Sequence, residues 1–302
     1  MNKLIKKAFT LIELLVVIAI IGILSGLIVV SMGGMTQKAT IAKAQVFSNS
    51  LKNSLMMSIV GEWKMDEGSG TTINDTWTKI NNGTLHSFAN TTAGYGDANT
   101  SGWMSSSSCI SGACLKFDGV DDYVSFGNNS SLRDLSSFTL EMWYNPFNIV
   151  DRRNILDKFT YAESGWQVRT ENNKFLFLIS QPTQVALISL SSLKLNDWNH
   201  IVCVFNGVGV GTSTAQIYLN GSFEVRNTAF SPLIPNDLYV NMGTAATNSG
   251  AYGIMDGFRM YKEAMTISQV KEQYYAGVNK LLTKGSISIA DYQSRLSMIA
   301  NK

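Results

Sequence analysis

Glu13 is the residue whose position demands the most chemistry. It stands four residues after Phe9, behind Lys3, Lys6 and Lys7, and at the head of a run from Leu14 to Val30 that carries no charge. Only Gly22, Ser25 and Gly26 interrupt the aliphatic residues of that run. A carboxylate at the mouth of a membrane-length helix costs roughly 2.5–3.5 kcal/mol even on the lenient insertion scale, so it calls for a dedicated partner. A positive charge supplied by another copy of the chain meets that need. Phe9 to Met32 gives ~36 Å of helix, enough to cross a bilayer. The three lysines hold the first residues in the cytoplasm and place everything after Val30 outside.

The segment Ala8-Phe9-Thr10-Leu11-Ile12-Glu13, behind its basic leader, resembles the N-terminus of type IV pilins and pseudopilins. The resemblance implies that a prepilin peptidase cuts between Ala8 and Phe9. It implies methylation of the new N-terminus at Phe9, and pairing of Glu13 with the N-terminal amine of a neighbouring subunit. Ala8 departs from the glycine usual before the cut. A secretory signal peptide would instead carry a small-residue cleavage site after the apolar region. A plain single-pass anchor explains the apolar run but not Glu13.

Among 302 residues, 24 are basic and 22 acidic; removing residues 1–8 deletes three lysines and leaves 21 against 22, a net charge of −1. No basic surplus points to a nucleic acid partner. Of the three cysteines, Cys109 and Cys114 flank the short loop Ile110-Ser111-Gly112-Ala113. A disulfide there suits an exported domain; the alternative is two free thiols in a turn. Cys203, in Ile201-Val202-Cys203-Val204-Phe205, reads as a buried strand residue.

Enzymatic signatures are missing from the sequence. There is no His-Glu-x-x-His, no Gly-x-Ser-x-Gly and no Gly-x-x-x-x-Gly-Lys loop. Glycoside hydrolysis needs two facing carboxylates, yet Glu141 stands alone among Phe138, Leu140, Met142 and Trp143. Asp118, Asp121 and Asp122 read as turn formers. His200 reads as a packed structural residue.

The elements that must carry these residues fall into two kinds. Ile41, Ala44, Phe47, Leu51, Leu55 and Ile59 recur at three- and four-residue steps, which predicts an amphipathic helix continuing the anchor through 35–59. From residue 60 short apolar runs alternate with turn signals. Strands are predicted at 115–117, 123–126, 138–144, 154–159, 166–169, 174–179, 185–190, 198–205, 215–219 and 257–261, with a hairpin turn at Asn220-Gly221. So many short strands predict a two-sheet sandwich. Thr266 with Gln269 forms a capping box, Gly277 ends that helix, and two short helices follow at 278–283 and 291–299.

Six blocks in order carry a second resemblance: Trp63–Gly70, Leu115–Val124, Phe138–Trp143, Trp198–Ile201, Tyr218–Gly221 and Asp256–Tyr261. Together they resemble the laminin-G-like, concanavalin-A-like jelly-roll family. That resemblance implies a curved sandwich over 60–276, ligand binding through loops at one rim, and a structural Ca2+ held by Asp75, Asn82 and Asp256. Trp77, Tyr95, Trp103 and Tyr161 fall in loop-like segments where an aromatic face could stack on a sugar.

The expected fold is α+β. It comprises a leader (1–8), a transmembrane assembly helix (9–34), an amphipathic helix (35–59), a jelly roll (60–276) and a helical tail (277–302). The expected role is a non-enzymatic, self-assembling pilin-like subunit. It passes from the cytoplasmic membrane to the cell surface and displays a domain for a glycan or protein ligand. The alternatives are a membrane-anchored lectin-like adhesin that does not polymerise, or a pseudopilin of a type II secretion or DNA-uptake system.

Overall fold

The computed structural model describes residues 14–16, 18–20, 43, 46, 55–91, 100–149, 151–160, 164–181, 183–244 and 249–300. Two compact units divide the chain, Met1–Asn49 and Ser50–Lys302. In the first, residues 14–16 and 18–20 are helical, and the side chains of Leu14, Leu15, Val16, Ile18 and Ile20 are exposed. Among the described residues no helix is long and apolar enough to cross a membrane. The expected spanning helix falls mostly outside the described residues, as do Ala8, Phe9 and Glu13. Ile59, placed by its periodicity in the amphipathic helix, instead opens the first strand.

The second unit is a two-sheet antiparallel sandwich. The first sheet runs in the order β14 (Ser222–Phe230), β13 (Ser213–Leu219), β12 (Asn199–Asn206), β7 (Phe138–Pro146), β16 (Tyr252–Tyr261), β5 (Cys114–Asp118) and β4 (Gly102–Met104). Strand β1 (Ile59–Trp63) pairs with the C-terminal part of β16. The second sheet runs β11 (Thr183–Ile188), β10 (Lys174–Gln181), β9 (Gly165–Glu171), β8 (Arg153–Lys158), β15 (Asn241–Gly243), β6 (Tyr123–Ser125), β3 (Gly83–His86) and β2 (Thr72–Ile73). Alternation along β7 sends Phe138, Leu140, Met142 and Tyr144 into the core, where they join Trp166, Phe175 and Phe177 from the facing sheet. At the β13–β14 hairpin, Asn220 and Gly221 both take positive φ, 52° and 74°, the conformation a two-residue hairpin turn requires.

Helices α1 (Ser130–Arg133), α2 (Ile267–Thr283) and α3 (Ile289–Ala300) complete the unit. The Thr266–Gln269 capping box forms as expected, and Ser288 caps α3 by accepting from Asp291 N at 3.1 Å. Gly277, however, is no cap. Helix α2 runs unbroken through it to Thr283, and the chain turns at Gly285, whose φ is +73°. The reason is tertiary: a Cβ on Gly277 would lie 2.1 Å from the Trp143 ring. Glycine is used there for close approach, and burial of α2 repays its helix cost of about 1 kcal/mol. The tail is therefore a structural layer. Tyr274, Val278 and Leu281 of α2 and Tyr292 and Ile299 of α3 pack with Trp143 and Trp198 on the outer side of the first sheet. Arg295 clamps Asp197 through two contacts of 2.8 Å.

Candidate binding surface

Of the residues expected to hold calcium, Asp75 and Asn82 share a hydrogen-bonded turn and Asp256 lies on a strand. Asn82 Oδ1 accepts from Asp75 N at 2.9 Å, so these two share one turn. Asp75 Oδ1 accepts from the amides of Glu62, Trp77 and Thr78 at 3.0–3.2 Å, and Oδ2 accepts from Thr78 Oγ1 and from Asn81 N. Burial works against the Asp75 charge, but these donors, Thr78 foremost, hold its carboxyl below the ordinary value. Asp256 lies on β16 and faces the disulfide loop: its Oδ2 accepts from Ile110 N at 2.7 Å and Ser111 N at 3.1 Å. A calcium ion needs six to eight oxygens with lone pairs directed at it. Asp75 has both oxygens committed to donors, so this set does not fit the ion. Asp75 orders a turn, and Asp256 anchors a loop.

That loop is closed by the Cys109–Cys114 disulfide, with sulfurs 2.04 Å apart. Cys203 is a free, buried thiol on β12, as its sequence neighbours indicate. Burial pushes the Asp256 carboxyl up to about 7. For an acid raised in the folded state, the sign is fixed: stability falls as pH rises from the ordinary value near 3.8 towards 7. Asp256→Asn keeps an acceptor oxygen and removes the buried charge. Its thermal midpoint is expected to exceed that of the parent at pH 8, by about 2–4 °C per kcal/mol recovered, and to match it below pH 4.

Of the four aromatic residues named for a sugar platform, Trp77 and Trp103 fall among the described residues. Trp103 is fully buried on β4 and donates Nε1–H to Gly70 O at 2.9 Å. It is a core residue because β4 edges the first sheet and turns its indole inward. Trp77 is half-buried beside the Asp75 turn. Tyr95 and Tyr161 lie outside the described residues.

Glu141 is not isolated, contrary to its sequence surroundings. On the outer side of the first sheet its Oε1 receives Arg259 Nη1 and His200 Nε2, each at 3.2 Å, and its Oε2 accepts from Tyr261 Oη at 2.7 Å. Arg259 Nε also donates to Glu62 Oε1 at 2.9 Å. Burial disfavours the Glu141 charge, but Arg259, His200 and Tyr261 hold its carboxyl down at about 2. Glu141 and His200 are both fully buried, so the cluster is a structural pin and not a hydrolytic pair.

The second sheet offers a different kind of surface. Leu85, Val124, Met242, Leu156, Val168, Phe177 and Leu187 lie in one cross-strand register row, and all belong to the core. One residue along, a parallel row must face away from the core. It reads Thr72, Thr84, Ser125, Asn241, Asp157, Gln167, Leu178 and Ala186, one residue from each of the eight strands. Asn241 Nδ2 donates to Asp157 Oδ1 at 3.3 Å, and Gln167 Oε1 accepts from Arg169 Nη1 at 3.4 Å. On the other side of the core row, the His86 and Tyr123 rings stack at 4.5 Å with 9° between their planes. Sequence reading missed this face because its members come from eight separate strands; the available signal was the polar alternation within each short strand.

The two-sheet jelly roll, with its polar outer sheet face and disulfide-closed loop, has the lectin-type fold. Residues 118–271 match the family described as the concanavalin A-like lectin/glucanases superfamily, of laminin-G type, and the chain belongs to that superfamily. Residues 5–29 match the prokaryotic N-terminal methylation motif. A comparison with curated protein sequences finds no match. Among solved structures, the chain is similar to the binding domain of Paraclostridial Mosquitocidal Protein 1, with 14% identity and a TM-score of 0.57 over 74% of this chain and 53% of that one. It is also similar to domain 4 of AbnA, a GH43 extracellular arabinanase from Geobacillus stearothermophilus solved with arabinotriose. That match has 14% identity and a TM-score of 0.56 over 71% of this chain and 97% of that one. The botulinum neurotoxin type G receptor binding domain follows at 12% identity, with a TM-score of 0.52 over 72% and 51%. The chain spans about half the length of the toxin domains it matches. At these identities the likeness concerns the fold.

Proposed function

We propose that this protein is a type IV pilin-like subunit that carries a lectin-type binding domain to the outside of the cell. The observation that carries the reading is the methylation-motif match over residues 5–29, which contains Ala8, Phe9 and Glu13 in the order that processing and assembly need. Exposed Leu14, Leu15, Val16, Ile18 and Ile20 supply apolar helix surface suited to lipid or to a sister helix. The disulfide suits an oxidising exterior. The binding-domain neighbours and the absence of an indicated enzyme family favour a structural or binding role over catalysis.

In this reading the peptidase cuts after Ala8 and the anchored subunit then joins a filament. Each Glu13 carboxylate sets register by meeting the amine of a neighbouring Phe9. The test has two parts. Intact mass should show a chain beginning at a methylated Phe9; a chain still beginning at Met1 would favour a singly anchored adhesin. Glu13→Leu should leave membrane insertion intact and remove filaments from the cell surface by microscopy. Normal filaments from that variant would overturn the role given to Glu13.

A further inference from the structure

We propose that strand β11 pairs edge to edge with β11 of a second copy of this chain, antiparallel across a two-fold axis at Ala186. Two second sheets then become one continuous sheet. The contact lies in the sandwich alone and stands apart from the pilin reading.

Three observations carry it. The first is an open ladder. β11 ends the second sheet, with β10 on its one paired side. Ser189 N donates to Phe175 O at 3.0 Å, and hydrogen-bonded pairs alternate along an antiparallel ladder. Val185 and Leu187 therefore bond to β10, and the backbone N–H and C=O groups of Gln184, Ala186 and Ile188 point out from the sheet edge. All three residues are exposed.

The second is a missing guard. Exposed edges are normally blunted by charge, proline, bulges or shortness. Among the described residues the other edges follow that rule. β14 carries Glu224 and Arg226, and its register against β13 shifts twice. β1 carries Glu62 and a register shift against β16. β2 has two residues and β4 three. From Thr183 to Leu193 the chain has no charged residue, no proline and no glycine. β11 runs beside β10 in unbroken register from Thr183 to Ile188.

The third is apolar surface that stops at the edge. On the outer side of the sheet Leu178 is in register with Ala186, and Leu176 with Ile188. Leu176 and Leu178 are buried, whereas Ile188 and Leu190 are 51% and 71% exposed. A further strand would cover the exposed end of this band.

Charge and symmetry select a second copy as that strand. With the axis at Ala186, Gln184 lies opposite the partner's Ile188, and Val185 opposite the partner's Leu187. Three residue pairs then exchange six backbone hydrogen bonds. An uncharged strand meets no like charge in its own copy, whereas a charged peptide would find no countercharge on it. The two-fold axis closes the contact as a pair and stops it from propagating. So small an interface holds two free chains weakly, so the test reads the edge itself.

The experiment is amide hydrogen exchange, read by mass spectrometry, on the full chain in nonionic detergent over a range of chain concentrations. Exchange in residues 183–190 should slow about tenfold or more as concentration rises, while residues 222–230 on the guarded edge stay unchanged. Ala186→Lys and Ala186→Glu should each abolish the slowing, by setting like charges opposite each other. Their side chains point to solvent, so melting curves should match the parent. An equimolar mixture of the two variants should restore the slowing. Fast exchange at every concentration overturns the proposal, as does slow exchange that ignores concentration, which would mean that the chain covers its own edge. Slowing that survives either single substitution, or a mixture no better than its components, overturns it too. Processing is read separately by intact mass, so a chain still starting at Met1 would count against the pilin reading alone.

Discussion

Arg259→Met is expected to lower the stability of the sandwich by about 3–5 kcal/mol, the cost of removing one partner from a buried ion cluster. The guanidinium bridges Glu62 at 2.9 Å and Glu141 at 3.2 Å. Glu141 is fully buried and Glu62 nearly so, 6% exposed. Methionine fills comparable space but takes the arginine from both acids, leaving Glu62 with only Lys64, at 3.7 Å, and the fully buried Glu141 with no arginine. The pH response of these acids should then reverse in sign. In the parent, Glu141 is held at about 2, so its stabilising contribution is complete above its ordinary value near 4.5 and is lost as pH falls towards 2. In Arg259→Met the stranded acids prefer protons, so lowering the pH from 7 to 5 should raise stability by more than the rise that Asp256 already gives the parent. Urea unfolding at both pH values measures this. Adding Glu62→Gln and Glu141→Gln should return most of the loss, because the deficit is uncompensated charge. A loss under about 1 kcal/mol would place the cluster in the weak class of solvent-screened surface pairs.

Gly277→Leu is expected to detach the two C-terminal helices from the first sheet. The Trp143 ring lies 2.1 Å from where a Cβ would be built, and the ring has little room to yield. It is 4% exposed and packs against Tyr274 at 5.7 Å and His200 at 4.9 Å. Leucine gains about 1 kcal/mol of helix propensity over glycine, but overpacking costs typically 1–3 kcal/mol and more against a rigid ring. The net loss should reach about 2 kcal/mol, with protease cleavage appearing first in residues 267–300. Trp143→Ala should suppress much of the defect in the double variant, since the clash is with that ring. Additive losses would show that glycine serves another purpose there.

Sequence and structure divided the work along a physical line. Alternation, turn chemistry and capping act over a few residues, so the sandwich, the Asn220-Gly221 hairpin, the Thr266 capping box and the Cys109–Cys114 pairing could all be read from neighbours in the chain. The prepilin motif was equally legible, because its residues are contiguous. Strands as short as β2, β4 and β15 were not; pairing across the sheet, not local propensity, makes them strands. Asp75 and Asp256 had the right composition for a metal site, but composition cannot show where lone pairs are spent: both Asp75 oxygens accept from its own turn and Asp256 Oδ2 from the disulfide loop. Trp103 was in the same position: a loop-like local pattern concealed an edge strand whose indole turns inward.

What the sequence determined by itself is an N-terminal methylation motif joined to a jelly roll, since both signals lie in residues close together along the chain. What only the tertiary structure decided is which distant residues meet. It joined Glu141 and Glu62 through Arg259, made Gly277 a point of contact with Trp143, and drew one residue from each of eight strands, six of them polar, into a single row. Register between strands far apart in the chain is set by burying the opposite face, and no local pattern encodes it.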